Sequence, residues 1–252
     1  MTPAIVWFRN DLRLRDHPAL QAALKAGLAP LPVYIHAPHE EGDWAPGAAS
    51  NAWRHRVLVA LDADLRRRGS RLHVLAGDSL ATLQAVAAAT GAAAVFWHRR
   101  HEPAVEERDS RIRRTLHRQG LRAEAHNGHL LFEPWQLATR NGDSFRVFTP
   151  FWKAALSALN PPRLQPAPTA LPAFGAVPGE VQLDALGLQP RRGWDARFWD
   201  PRFQDCWTPG EQGAIAALGR FTQEGVHGYD EGRDLPARSL TSRLSPHLHF
   251  GE

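Results

Sequence analysis

The first half of the sequence predicts a doubly wound α/β fold. Three observations carry this: five short runs that read as strands, the first of them apolar with β-branched and aromatic residues, helical patterns between them, and glycines where several of those helices should stop. Strands alternating with helices pair in parallel through right-handed crossovers. The expected domain is therefore a Rossmann-like five-stranded parallel sheet covered on both faces.

Along the chain, "AIVWF" (Ala4–Phe8) reads as the first strand. "HPALQAALKAG" places Leu20 and Leu24 on one helical face, with Gly27 as its stop. "PLPVYIH" is the second strand, and a Gly- and Pro-bearing loop comes after it. Between Asn51 and Arg68 the residues Trp53, Val57, Leu58, Leu61 and Leu65 form one helical stripe that ends at Gly69. "RLHVLAG" is the third strand, and an Ala-rich helix runs from about Asp78 to Thr90. "AAAVFWH" is the fourth strand. A charged helix then opens at Pro103 and closes at Gly120, and "LRAEAH" supplies the fifth strand.

After Phe132 the alternation stops. "VFTPFWKAALSALNPP" holds a short helix, with Thr149 as its cap, Pro150 at its first position and an end before Pro161. Pro161 to about Pro190 is rich in Pro, Ala and Leu with weak periodicity, which predicts a linker. In "WTPGEQGAIAALGRF", Thr208, Pro209 and Glu211 are spaced as a capping box at the start of a new helix. The expected domains are thus residues 1–132, an α/β unit; 133–207, a linker with a short helix; and 208–252, the start of a helical domain too small to support a core of its own.

Composition narrows the function. Apolar residues make up 43% and charged residues 22%, an ordinary globular balance. No apolar run reaches the roughly 18 residues of a membrane span, and the amino terminus lacks the features of a secretion signal. With one cysteine, Cys206, no internal disulfide can form. A soluble cytoplasmic monomer is expected. The net charge of +4 rests almost wholly on arginine and permits, without demanding, a nucleic-acid partner.

Motifs narrow it further. "WFRNDLRLRDHPAL" gathers Arg9, Asp11, Arg13, Arg15 and Asp16 after the first strand, where such sheets bind ligands. It contains neither G-x-G-x-x-G nor a P-loop pattern. The same alternating charges would equally pair among themselves or with a neighbouring domain. Eight of the 13 histidines fall in four close pairs, but none has zinc-site spacing, so no metal is expected. No nucleophile–base set or carboxylate pair supports hydrolysis. "TSRLSPHLHFGE" places Thr241, Ser242 and Arg243 ahead of Ser245 and Pro246, a cap and first residue of a helix. Such a helix start offers free N–H groups to an anion. A plain capped helix is the equal alternative.

"WFRNDLRLRDHPAL", "VFTPFWKA", "WTPGE", "GYDEGRDLPA" and "TSRLSPHLHFGE", in that order, resemble the DNA photolyase and cryptochrome family, its bacterial photolyases above all. The resemblance spans residues 4–252. It implies an α/β domain able to hold an antenna chromophore, a long linker, and a helical domain that binds FAD. It implies FAD contacts at Tyr229, Thr241, Ser242, Arg243, Leu244 and Ser245, and a DNA-facing role for Arg233. The implied reaction is light-driven repair of pyrimidine dimers in DNA by reduced FAD, with no catalytic residue inside this stretch.

The family continues beyond the position matched by Glu252, so the chain is expected to be the front part of such a protein and inactive by itself. A second chromophore of folate or deazaflavin type stays unassigned: "WHRRHEP" carries Arg99 and Arg100 where deazaflavin-binding members hold an aspartate, and Ala104-Val105 stands where folate-binding members hold Asn-Glu. A cryptochrome-type photoreceptor and a stand-alone nucleotide-binding α/β module are the alternatives.

Overall fold

The computed structural model describes residues 1–139, 141–160, 163–189 and 206–252. Its sheet has five parallel strands in the order β3-β2-β1-β4-β5. These are β1 (Pro3–Phe8), β2 (Ala29–His36), β3 (His73–Ala76), β4 (Ala94–His98) and β5 (Arg122–His126). The chain winds one way from β1 to β3 and the other way through β4 and β5. The reversal lies between β1 and β4, whose register pairs Trp7 with Trp97.

The central strands are buried along nearly their whole length, as continuous apolar runs demand in a sheet covered on both faces. Helices α1 (Pro18–Lys25) and α2 (Ala48–Arg66) cover one face. There Phe8, Phe96, Leu20, Val57, Leu58 and Leu65 form a core. Helices α3 (Ser79–Thr90) and α4 (Pro103–Arg118) cover the other, over Trp7, Val33, Val95, Trp97, Leu83 and Ile112. Each large aliphatic side chain so buried contributes about 1.5–3 kcal/mol. Asp78 caps α3 through its carboxylate, and Gly91 ends that helix at φ +65°, a left-handed geometry a side chain would strain.

Local structure departs from the sequence-based expectation at three helix starts, the last of them at Ser245, and in the linker. The fifth helix, α5, runs Phe148–Ala158, so Thr149 and Pro150 lie inside its first turn, and no side chain caps it at Val147. The proline still falls where its missing N–H costs nothing. The next helix, α6, runs Glu211–Arg220 behind Gly210 at φ +106°, again with no side-chain cap. The capping box expected at Thr208 does not form, because the Glu211 carboxylate is held elsewhere. Beyond α6 come a π turn (Phe221–Gly225), the short helix α7 (Tyr229–Gly232) and the short helix α8 (Ser245–Phe250).

The described part of the linker is not a loose tether. Pro161, Pro190 and positions 191–205 of the expected linker lie outside the described residues. Within 163–189, Leu171 donates its N–H to Arg68 O and Val181 donates its own to Val74 O, at 2.8 and 2.9 Å. Glu180 bridges to Leu75 beside β3 and pairs with Arg71. Leu171, Val177 and Leu188 are buried against the α/β unit. Apolar side chains recurring without helical or strand periodicity can still bury when the backbone crosses a sheet edge in extended form. Among the described residues no helix is long and apolar enough to cross a membrane.

Residues 163–189 therefore behave as part of the α/β unit. Leu171→Ala should lower the unfolding free energy by at least about 2 kcal/mol in urea denaturation, whereas a segment free in solvent would lose almost nothing.

Candidate functional site

The loop from Arg9 to His17, leaving β1 at its carboxyl end, holds this part of the molecule together. Asp11 is buried, and one carboxylate oxygen accepts the Arg9 N–H at 2.5 Å. The other lies 2.9 Å from His98 Nδ1 and 3.2 Å from His17 Nε2. The opposite ring nitrogens accept backbone N–H groups. His17 Nδ1 accepts the Leu20 N–H and His98 Nε2 accepts the Ala19 N–H, at 3.0 and 3.1 Å. Both imidazoles thus cap the first turn of α1 with one nitrogen and face Asp11 with the other.

Asp11, His17 and His98 could hold a metal ion by distance alone. Here one nitrogen of each ring accepts a backbone N–H, while the other nitrogens and the second Asp11 oxygen meet at ion-pair distance without a well-aligned hydrogen bond. Burial pulls the Asp11 carboxyl upward, yet His98 and His17 hold it well below the usual carboxylate range. Burial, with the neighbouring His17, pushes the His98 imidazole down to about 3 against the pull of Asp11.

The rest of the loop reaches outward. Arg9 pairs with Asp109 of α4 at 2.7 Å. Leu14 and Arg15 donate their N–H groups to the two Glu211 carboxylate oxygens, each at 3.0 Å. Leu12 donates to Phe250 O, and the Arg13 guanidinium donates to Gly251 O and Gly128 O. Asp16, at φ +47°, joins the linker by donating its N–H to Gln165 O. The polar groups of this loop serve mainly to join distant segments of the chain. Gly251 fits only because it lacks a side chain: a Cβ there would lie 2.3 Å from Asn10 O.

The helical segment so docked carries a cavity of about 510 Å³. That lies within the range of small-molecule sites. One wall is the α6 stripe Gln212, Ala216 and Arg220, and Thr241, Ser242 and Arg243 also line it. Gly213 permits the tight approach at the helix start, where a Cβ would lie 1.6 Å from Thr208 O. Arg243 adopts φ +52°, a left-handed backbone uncommon outside glycine. The Glu252 carboxylate accepts from Trp53 Nε1 and from Gly210 N and contacts His247 Nδ1 at 2.7 Å, tying α2, α6 and α8 together. Two guanidiniums with several hydroxyl and amide donors suit an anion such as a diphosphate.

The structure thus gathers Thr241, Ser242 and Arg243 of the sequence-predicted set around one cavity. The others lie apart from its lining. Ser245 is exposed and begins α8 as its first residue; Leu244 occupies the cap position, and no side chain caps the helix. Tyr229 is exposed and meets Phe221 edge-on at 5.8 Å. Arg233 is exposed beside Asp234. Gln212 and Arg220 are additions that the motifs do not name. Their signal in the sequence is spacing alone: Gln212, Ala216 and Arg220 recur every four residues and so share a helix face.

Comparison with known proteins gives concordant findings. The family model described as DNA photolyase matches residues 4–173. A deoxyribodipyrimidine photo-lyase of Agrobacterium fabrum is 40% identical, over 99% of this chain and 51% of the relative. Cryptochrome-1 of Arabidopsis thaliana is 35% identical, over 99% of this chain and 36% of the relative. The crystal structure of a bacterial class III photolyase from Agrobacterium tumefaciens superposes with a TM-score of 0.91 at 39% identity, covering all of this chain and 51% of that one. The chain spans about half the length of the photolyase relatives it matches.

Acid titration tests the Asp11 cluster. The unfolded chain protonates His98 near its ordinary 6.5, while the folded chain resists until about 3. Stability should therefore fall as pH drops through that window, by up to about 1.4 kcal/mol per pH unit for one proton. His98→Asn should be less stable at pH 7 and show a shallower decline between pH 6 and 4 by denaturant titration.

Proposed function

The chain belongs to the DNA photolyase family, and from that premise we propose that it is the amino-terminal part of a deoxyribodipyrimidine photolyase, a protein that repairs pyrimidine dimers in DNA under blue light with FAD. One observation carries the reading: the cavity lined by α6 and the Thr241–Arg243 turn presents guanidinium and hydroxyl donors, and Glu224 is the one carboxylate among its described lining residues.

Thr241, Ser242 and Arg243 would hold the diphosphate of FAD, together with Arg220 and Gln212. Leu244 and Ser245 continue the same turn, and Tyr229 would meet the flavin from the π-turn side. Arg233, exposed just past α7, would face DNA. When bound, reduced FAD supplies the light-excited electron; the protein supplies position and electrostatics. The lesion would leave the duplex to reach it. Each charged hydrogen bond to the diphosphate contributes about 1.5–3 kcal/mol. The surroundings of the flavin ring would come from polypeptide homologous to the other half of the relatives, so this chain alone is expected to be inactive in repair. The antenna stays unassigned.

The 35% identity to a plant cryptochrome supports a photoreceptor as the second reading. Dimer repair under blue light by the complete gene product separates the two, since a purely signalling protein would leave the dimers intact. In that complete protein, Arg243→Ala should weaken FAD binding about 10–100-fold by flavin fluorescence titration. Unchanged affinity would remove the diphosphate assignment.

A further inference from the structure

The crevice at the carboxyl ends of β1, β2 and β4, where doubly wound sheets commonly bind ligands, is separate from the cavity described above. Its remaining volume is about 30 Å³. A water needs roughly 10–15 Å³ on this scale, so the space holds about two waters or one small ion and no fused-ring chromophore. Ion pairs fill the rest. Arg100 grips Glu41 with two bonds of 2.8 and 2.7 Å and also reaches Glu102. Arg108 is held by Asp109 and Glu40, and Arg9 by Asp109.

The cavity wall is unbalanced. Arg9, Arg54, Arg100 and Arg108 line it, and Glu41 is the single carboxylate among the lining residues. Asp109, Glu40 and Glu102 lie behind that wall. Arg54 differs from the other three. It is only 6% exposed, and among the described residues no carboxylate lies within ion-pair distance of it. Its described hydrogen-bond partner is neutral, Asn10 Oδ1 at 3.3 Å, and the Tyr34 side chain lines the same wall. Phe250 covers it, 5.7 Å from the guanidinium carbon to the ring centre.

Buried donors are left over as well. Arg54 Nε, Arg9 Nε and Trp7 Nε1 are buried without hydrogen-bond partners, and all three residues line this cavity. Leaving a buried donor unpaired has a measurable cost, larger when it is charged. The surroundings are electropositive: burial first, and then the Arg54 charge, lower the basicity of His36 on the same wall.

The geometry points to a small-anion site in this crevice, in which a free oxyanion of phosphate or sulfate size supplies Arg54 with a counter-charge at the close range that Glu41, engaged by Arg100, does not reach. Such an ion would neutralise the one cavity-facing guanidinium that has no carboxylate within ion-pair distance among the described residues, and would give acceptors to the orphaned N–H groups. It would lie between α2 and the β1 and β2 termini, beneath Phe250. Since Phe250 also anchors the Arg9–His17 loop through Leu12, an ion here would stiffen the junction between the α/β unit and the helical segment.

Thermal unfolding of the purified 252-residue chain at pH 7 tests this, in sodium phosphate, sodium sulfate and sodium chloride at equal ionic strength. Phosphate and sulfate should raise the melting temperature by about 3 °C at ten times their Kd, and chloride should not. Arg54→Gln should remove the rise, and Arg54→Lys, which keeps the charge, should retain part of it. If Arg54→Gln does not fold, crystals of the unmutated chain soaked in selenate should show an anomalous peak within hydrogen-bond reach of Arg54. Equal melting in the three salts, a rise that survives Arg54→Gln, or water alone in the crevice would overturn the site. Ribose 5-phosphate raising the melting temperature where inorganic phosphate does not would overturn the free ion as occupant.

Discussion

One buried carboxylate organises the molecule. Asp11 takes a backbone N–H from its own loop and faces the rings of His17 and His98, and those rings cap α1. An unpaired carboxylate at this depth would be strongly destabilising. With its contacts in place, the loop leaving β1 has a single shape, and that shape aims Arg9 at α4, the Leu14 and Arg15 amides at Glu211, and Leu12 at Phe250. The position of the helical segment, and so of the Thr241–Arg243 cavity, depends on a cluster that lies outside that cavity's lining.

The sheet was legible because burial on both faces leaves a simple trace, an apolar run between turn signals, and the α2 stripe from Trp53 to Leu65 needed only helical spacing. Helix starts were less legible. Thr208, Pro209 and Glu211 have the spacing of a capping box, yet the Glu211 carboxylate binds amides 196 and 197 residues away. A tertiary contact prevails over a local one when it satisfies two backbone donors in place of one, and no window of sequence reveals that. The Asp11 cluster was hidden for a related reason: only the pairing of β1 with β4 brings His98 to the loop.

Of the candidate site, the hydroxyl and arginine turn was visible as a motif, while the helix wall beside it was not. Gln212, Ala216 and Arg220 share a helix face, but a polar stripe on a short helix reads equally as a solvated surface until a second wall encloses it. The linker misled in the opposite sense. Its weak periodicity suggested loose chain, whereas Leu171, Val177 and Leu188 use irregular spacing to seat extended backbone against the α/β unit. Arginines after the fourth strand proved to be ion-pair partners, Arg99 with Glu133 and Arg100 with Glu41.

The docking of Glu211 onto the Leu14 and Arg15 amides has a temporal side. Those amides are fixed only once the early part of the chain has folded around Asp11, and the acceptor emerges from the ribosome nearly two hundred residues later. Closing so large a loop costs entropy that contacts nearby in sequence do not. Vectorial synthesis bears on that cost, because β1, α1 and β4 all leave the ribosome before α6 does. Assembly then becomes a template reaction, in which the nascent amino-terminal unit selects the conformation of each later segment.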